Sequence, residues 1–231
     1  MLFWERFRDN LPYFLDVLIP AAGMTVRIAA GAFVLAIVVG LVLALLQTVK
    51  VSIITLVVRT YIELIRGTPV LAQLFILYFG LTEVGIRFTP VQAAILGLGL
   101  NGGAYLAEVF RAGIQSIHAG QMEAALTVGM TPISAMRYVI LPQALNVVVP
   151  PTTNYSIALL KDTAIVSAVA APEIMFKARN LVMETYLSAQ IYLLVALMYL
   201  VMSLILAYLS RRLERRLAVS GASGAGSPRT A

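Results

Sequence analysis

Not one of the 231 residues is a cysteine. That excludes a disulfide framework, a thiolate metal site and cysteine nucleophile chemistry. Histidine is almost as scarce, with His118 alone, so a hydrolase built on a nucleophile and an imidazole base has little to draw on. Charge is sparse as well: Asp, Glu, Lys and Arg make up 12% of the chain against 60% apolar residues, with a mean hydropathy of +0.90. Soluble domains carry about 25% charged residues, so the composition is that of a membrane protein. The formal charge of +6 is no footprint of nucleic acid. The basic residues are spread along the chain, and their densest cluster, RRLERR at Arg211–Arg216, follows the last apolar run, as expected of a membrane orientation signal.

What the chain has instead is long apolar runs. A spanning helix needs ~20 mostly apolar residues, because the bilayer core holds no water and every backbone N–H and C=O must be paired internally. Five stretches meet that need. Ile28–Leu46 and Leu187–Ser210 carry no charge, and Val91–Ala107 follows them in clarity. Gln143–Leu160 runs uncharged until Lys161 and Asp162 interrupt it before Thr163–Ala171. In Val51–Leu81, Arg59, Glu63 and Arg66 precede the short run VLAQLFILYFGL, and the span is expected to break near Gly67 and Pro69. The expected fold class is an all-α integral membrane protein with about five transmembrane helices.

An odd number of spans puts the termini on opposite sides, and RRLERR pins the C-terminus inside. The inside segments then hold nine basic residues, Lys50, Arg59, Arg111, Arg137, Arg211, Arg212, Arg215, Arg216 and Arg229. The outside segments hold five, Arg6, Arg8, Arg87, Lys177 and Arg179. The expected organisation is an external segment over 1–16, a transmembrane domain over 17–210, and a basic, flexible cytoplasmic tail over 211–231. No cleavable signal peptide is expected, since MLFWERFRDN has no compact apolar core.

Between the third and fourth spans, residues 111–146 form a long cytoplasmic loop, the kind of connection that is usually functional. Two short helices are expected in it. Gly129 suits the C-terminal stop of the first, Thr131 and Pro132 suit the cap and first turn of the second, and Pro142 is expected to end it. Glu123, Ala124 and Ala125 place an acid and two small side chains just before the turn, where another protein's backbone has room to approach. A re-entrant elbow or an amphipathic surface helix fits the same residues.

The pattern EAA at 123–125, Gly129 four residues later and ILP at 140–142 resembles the EAA loop of ATP-binding-cassette importer permeases. RGTPVLAQLF (66–75), NGGAYLAEVFRAGIQSI (101–117) and LLKDTAIVS (159–167) are similar to the polar-amino-acid branch of that family. Ala164 departs from the serine of many relatives. The resemblance covers about 22–209 and implies a type I ABC importer permease fold with a cytoplasmic coupling-helix loop. It also implies that Glu123, Ala124, Ala125 and Gly129 couple the chain to a separate ATPase. The implied partners are an ABC ATPase dimer, a second permease subunit, identical or paralogous, and a periplasmic or surface solute-binding protein. No cofactor is expected on this chain, ATP and Mg being used by the ATPase, and no Walker A loop is present, RGTPV lacking its GK[ST] ending.

Gly97, Gly99 and Gly102 spell GxGxxG, but without the strand and βαβ unit that dinucleotide binding requires. Gly99 and Gly103 also spell GxxxG, a helix-packing surface, and Ala32, Ala36 and Gly40 make a similar stripe on the first clear span. His118 is read as a loop residue without a role.

Ionisable groups within spans are costly and usually face a polar pathway or one another. The candidate substrate contacts are Glu63, Thr68, Asn101, Glu108, Lys161 and Asp162. Glu63 lies between Arg59 and Arg66 at helical spacing, which suits a self-compensating ion network as well as a ligand contact. Asn101, Tyr105 and Glu108 share one stripe, and Asn101 serves equally as an interhelical hydrogen-bond partner. Lys161 and Asp162 either pair with neighbours or unwind the fourth span, and half-helix ends bind charged ligand groups. Glu108 is read as lacking a basic neighbour on its own face, which favours a zwitterionic or basic amino acid such as glutamine, histidine or arginine. The expected function is the permease subunit of an ATP-driven importer of polar amino acids; the alternative is a secondary transporter or channel without an ATPase.

Overall fold

The computed structural model describes residues 2–49 and 51–222. Lys50 and the last nine residues of the expected tail, Arg229 among them, lie outside them. Ten α-helices make up the described chain: α1 (Leu2–Leu46), α2 (Ser52–Gly67), α3 (Val70–Phe75), α4 (Leu81–Glu83), α5 (Pro90–Gln115), α6 (Ala119–Thr127), α7 (Pro132–Ala135), α8 (Leu141–Asp162), α9 (Ile174–Thr185) and α10 (Ser188–Ala222). No strand occurs among the described residues. Four continuous helical stretches are long and apolar enough to cross a membrane, Trp4–Leu46, Pro90–Gln115, Pro132–Val169 and Ser188–Arg216. A fifth span is made only if α2 and the α3–α4 stretch count as one, bent by 106° at Gly67–Pro69.

Three boundaries differ from the hydropathy reading. The first helix begins at Leu2 rather than near Ile28, because the turns before Ile28 are amphipathic and dock: Phe14 and Leu18 are fully buried against Ile174, Leu181 and Ile191 of α9 and α10, with Phe7 packed beside them. Residues 211–222 continue α10 instead of forming a flexible tail. Pro142 does not end the second loop helix. A wide turn over Met136–Ile140 leads from α7 straight into α8, with Pro142 in its first turn. Proline has no N–H to donate and its ring crowds the carbonyl four residues back; a wide i→i+5 turn just ahead of it relaxes that crowding.

The centre of the molecule is α1 packed along α5, its most extensive helix pair. Close approach requires glycine here. A Cβ on Gly99 would stand 2.6 Å from Leu35, and one on Gly40 would stand 3.2 Å from the backbone of Ala107. Ala32 and Ala36 are fully buried in the same seam. The GxxxG and small-residue stripes are therefore packing surfaces. At its start α5 is closed by a capping box, Thr89 Oγ1 accepting from Gln92 N–H at 3.2 Å and Gln92 Oε1 accepting from Thr89 N–H at 2.9 Å.

Candidate functional site

The loop after α5 is a built element. The His118 ring accepts a hydrogen bond from Gly120 N–H at 3.0 Å and so caps α6. Gly129 takes φ +85°, its N–H donates to Leu126 C=O at 3.0 Å, and Met130 N–H donates to Ala125 C=O at 3.1 Å. This is a glycine-closed helix end. Thr131 Oγ1 then accepts from Ser134 N–H and caps α7. Glu123 and Ala124 face outward, but Ala125 is buried, because each residue turns the helix by about 100°. Ala125 therefore seats the loop on the molecule instead of sharing its outer face. That outer face carries large apolar side chains: Val128 is 79% exposed, Ile133 81% and Tyr138 65%.

A second polar centre forms where α2 meets α3. The break frees carbonyls that a straight helix would pair, and Gln73 takes them up. Its Nε2 donates to Ile65 C=O at 2.7 Å, to Thr68 C=O at 3.2 Å and to Thr68 Oγ1 at 2.8 Å. Asn101 of α5 donates to Gln73 Oε1 at 3.2 Å, and Tyr61 donates to Leu100 C=O at 3.1 Å. Thr68 and Asn101 are thus joined through one side chain, and Asn101 makes the interhelical bond. Four residues on, Tyr105 stacks on Tyr155 of α8, ring centres 5.1 Å apart. The stripe of Asn101, Tyr105 and Glu108 therefore splits among three different partners.

The charges pair differently from the sequence reading. Glu108 does have a basic neighbour on its own face: Arg111 Nη2 lies 2.6 Å from its Oε2, and Arg111 also donates to Gln115 at 2.8 Å. Glu63 forms no ion pair among the described residues, although it lines a polar cavity of about 290 Å³ with Arg59, Arg66, Glu108, Arg111 and Gln47. The local network expected of Arg59, Glu63 and Arg66 is thus absent at ion-pair distance, and the preference for a basic substrate loses its basis. Lys161 and Asp162 are exposed and make no ion pair with each other among the described residues. The helix tightens into a 3₁₀ segment directly after them, over Thr163–Val169.

The sequence matches the binding-protein-dependent transport system inner membrane component family over residues 36–219. The chain belongs to that family. It is 38% identical over 215 residues to YxeN of Bacillus subtilis (strain 168), named a probable amino-acid permease protein, covering 92% of this chain and 94% of that one. It is 34% identical over 218 residues to the glutamine transport system permease protein GlnP of Escherichia coli (strain K12), covering 94% and 98%. A solved amino acid ABC transporter with histidines superposes with a TM-score of 0.83 at 38% identity, over 91% of this chain and 97% of that one. The fold is the importer-permease fold that the resemblance implied.

Two further features of the membrane region carry only a faint sequence signal. Gln73 is one, and its signal is the polar residue four positions after Pro69 in an otherwise apolar run. The other is Pro150–Pro151 inside α8. Neither proline has an N–H, so the carbonyls of Asn146 and Val147 have no helical donor four residues on, beside two exposed side chains. Inside a span such freed carbonyls need another partner, whether a neighbouring side chain, a local helix adjustment or water.

Proposed function

We propose that this chain is the permease subunit of an ATP-driven importer of polar amino acids, forming half of the translocation pathway and performing no chemistry itself. The carrying observation is the loop between α5 and α8: a rigid, glycine-closed turn that holds Val128, Ile133 and Tyr138 exposed on a segment expected to be cytoplasmic. An exposed apolar knob on a fixed frame suits a groove on another subunit. The partners in this reading are a dimer of ABC ATPases using ATP and Mg, a second permease subunit and a solute-binding protein that delivers substrate. ATP-driven closure of the ATPases draws the two loops together and turns the permease pair from inward-facing to outward-facing, a two-state switch. The N-terminus is external and the C-terminus cytoplasmic. A free amino acid needs an acceptor for its ammonium and a donor for its carboxylate; the adjacent Asp162 and Lys161 at the end of α8 offer the first and the second.

Gly129→Val tests the coupling. At φ +85° a β-branched residue is strained whatever space surrounds it, so the loop frame distorts while the membrane helices stay intact. In proteoliposomes with the ATPase and binding protein, uptake of radiolabelled glutamine should fall at least tenfold and binding-protein stimulation of ATP hydrolysis should disappear. Normal uptake with normal stimulation would remove the coupling role. Uptake driven by an ion gradient without any ATPase would establish the secondary transporter instead.

A further inference from the structure

Between α1 and α10, with α8 as its floor, two cavities of about 470 Å³ and about 380 Å³ share Phe33, Ser156, Leu206 and Leu209 and so form one groove. Its walls are almost wholly apolar. Along α1 it reaches from Val26 to Leu41, and along α10 from Met202 to Leu213. At 1.5 Å per residue these are lengths of about 22 and about 16 Å, at least the ~15 Å of hydrocarbon in one bilayer leaflet. A groove of this length and apolar lining suits an extended hydrocarbon chain.

One end of the groove is strongly charged. Arg211, Arg212, Arg215 and Arg216 flank its last lining residue, Leu213, and all four are exposed. Glu214, the acid among them, turns inward and accepts a hydrogen bond from Thr153 of α8. Among the described residues none of the four arginines is in an ion pair. Tyr208 lies one turn before Arg212, whose guanidinium stands 4.8 Å from its ring centre, the aromatic and basic pairing of a membrane interface. We propose that this groove binds one anionic phospholipid, an acyl chain lying between α1 and α10 and the phosphate held by the arginine cluster. Apolar length and the guanidinium groups at the charged end, unpaired among the described residues, match the two halves of such a lipid. The inference does not depend on the transport reading, since it needs only that the helices span a bilayer.

The full chain, purified in mild detergent with whatever subunits accompany it, is stripped by detergent exchange and offered dioleoylphosphatidylglycerol or dioleoylphosphatidylcholine. Bound lipid is counted by native mass spectrometry. One phosphatidylglycerol per chain is expected, held at least tenfold more tightly than phosphatidylcholine. Changing the four arginines together to glutamine should abolish that preference, and changing them to lysine should retain most of it. Ala30→Phe, at an exposed position lining the groove, should weaken retention of both lipids with the arginines intact. Equal retention of the two lipids by the unaltered chain would overturn the proposal. So would unchanged phosphatidylglycerol binding by Ala30→Phe, which would leave the arginines collecting anions without a groove. Disulfide cross-linking of Leu206→Cys to a second chain would show the groove covered by another copy, and would also end it.

Discussion

Glu173 shows how much a single side chain decides without any sequence signal. It is fully buried, and its carboxylate caps α9 by accepting from Met175 N–H at 2.8 Å and Phe176 N–H at 2.7 Å while the Tyr199 hydroxyl donates to it at 2.8 Å. Burial outweighs these donors and holds the carboxyl above its ordinary range. A raised carboxyl favours the folded state fully below the ordinary value, and that contribution is lost as pH rises through the raised one. Glu173→Gln keeps the shape but replaces an acceptor with a donor facing a backbone N–H, at a cost of about 1–3 kcal/mol. Its midpoint of thermal unfolding in detergent should fall below that of the parent at pH 5, and the gap should narrow by pH 8, where only the parent buries a charge. A gap that is constant with pH would contradict this account. Glu108 teaches the reverse lesson: Arg111 stands three residues on, a spacing that pairs charges on any helix, so this contact was legible.

At the scale of elements, apolar runs locate helices well and end them badly. Hydropathy finds the core of α1 but not its early turns, since Phe14 and Leu18 there are held by α9 and α10, far along the chain. The break between α2 and α3 is legible from Gly67 and Pro69, whereas its repair by Gln73 is not, because that requires knowing where the freed carbonyls point. Gln73→Leu keeps the size and removes the donor to Ile65 and Thr68. The expected loss is about 1–3 kcal/mol of stability, read as a lower unfolding midpoint, with trypsin cleavage at Arg66 accelerated as the bend loosens. Unchanged cleavage and unchanged midpoint would mean that water replaces Gln73 at the break.

For the whole molecule, the orientation is the prediction with most reach. Because the chain has no cysteine of its own, single cysteines report cleanly. Val128→Cys, in the loop after α6, and Tyr186→Cys, between α9 and α10, place thiols at positions 79% and 82% exposed. In intact cells a membrane-impermeant maleimide should label Tyr186→Cys at once and Val128→Cys only after permeabilisation. The opposite pattern would invert the charge-based topology and move the coupling loop outside.

By itself the sequence determined the membrane class, the positions of the apolar spans, the glycine-closed loop and the family, because these follow from composition, local backbone chemistry and residues close in the chain. The tertiary structure alone decided which polar groups meet. Glu173 reaches Tyr199 across 26 residues and Asn101 reaches Gln73 across 28, distances over which no helical periodicity carries information. Burial is settled in the same way: Ala124 and Ala125 are identical in chemistry, and only the packing of the loop against the molecule makes one a surface residue and the other a seat.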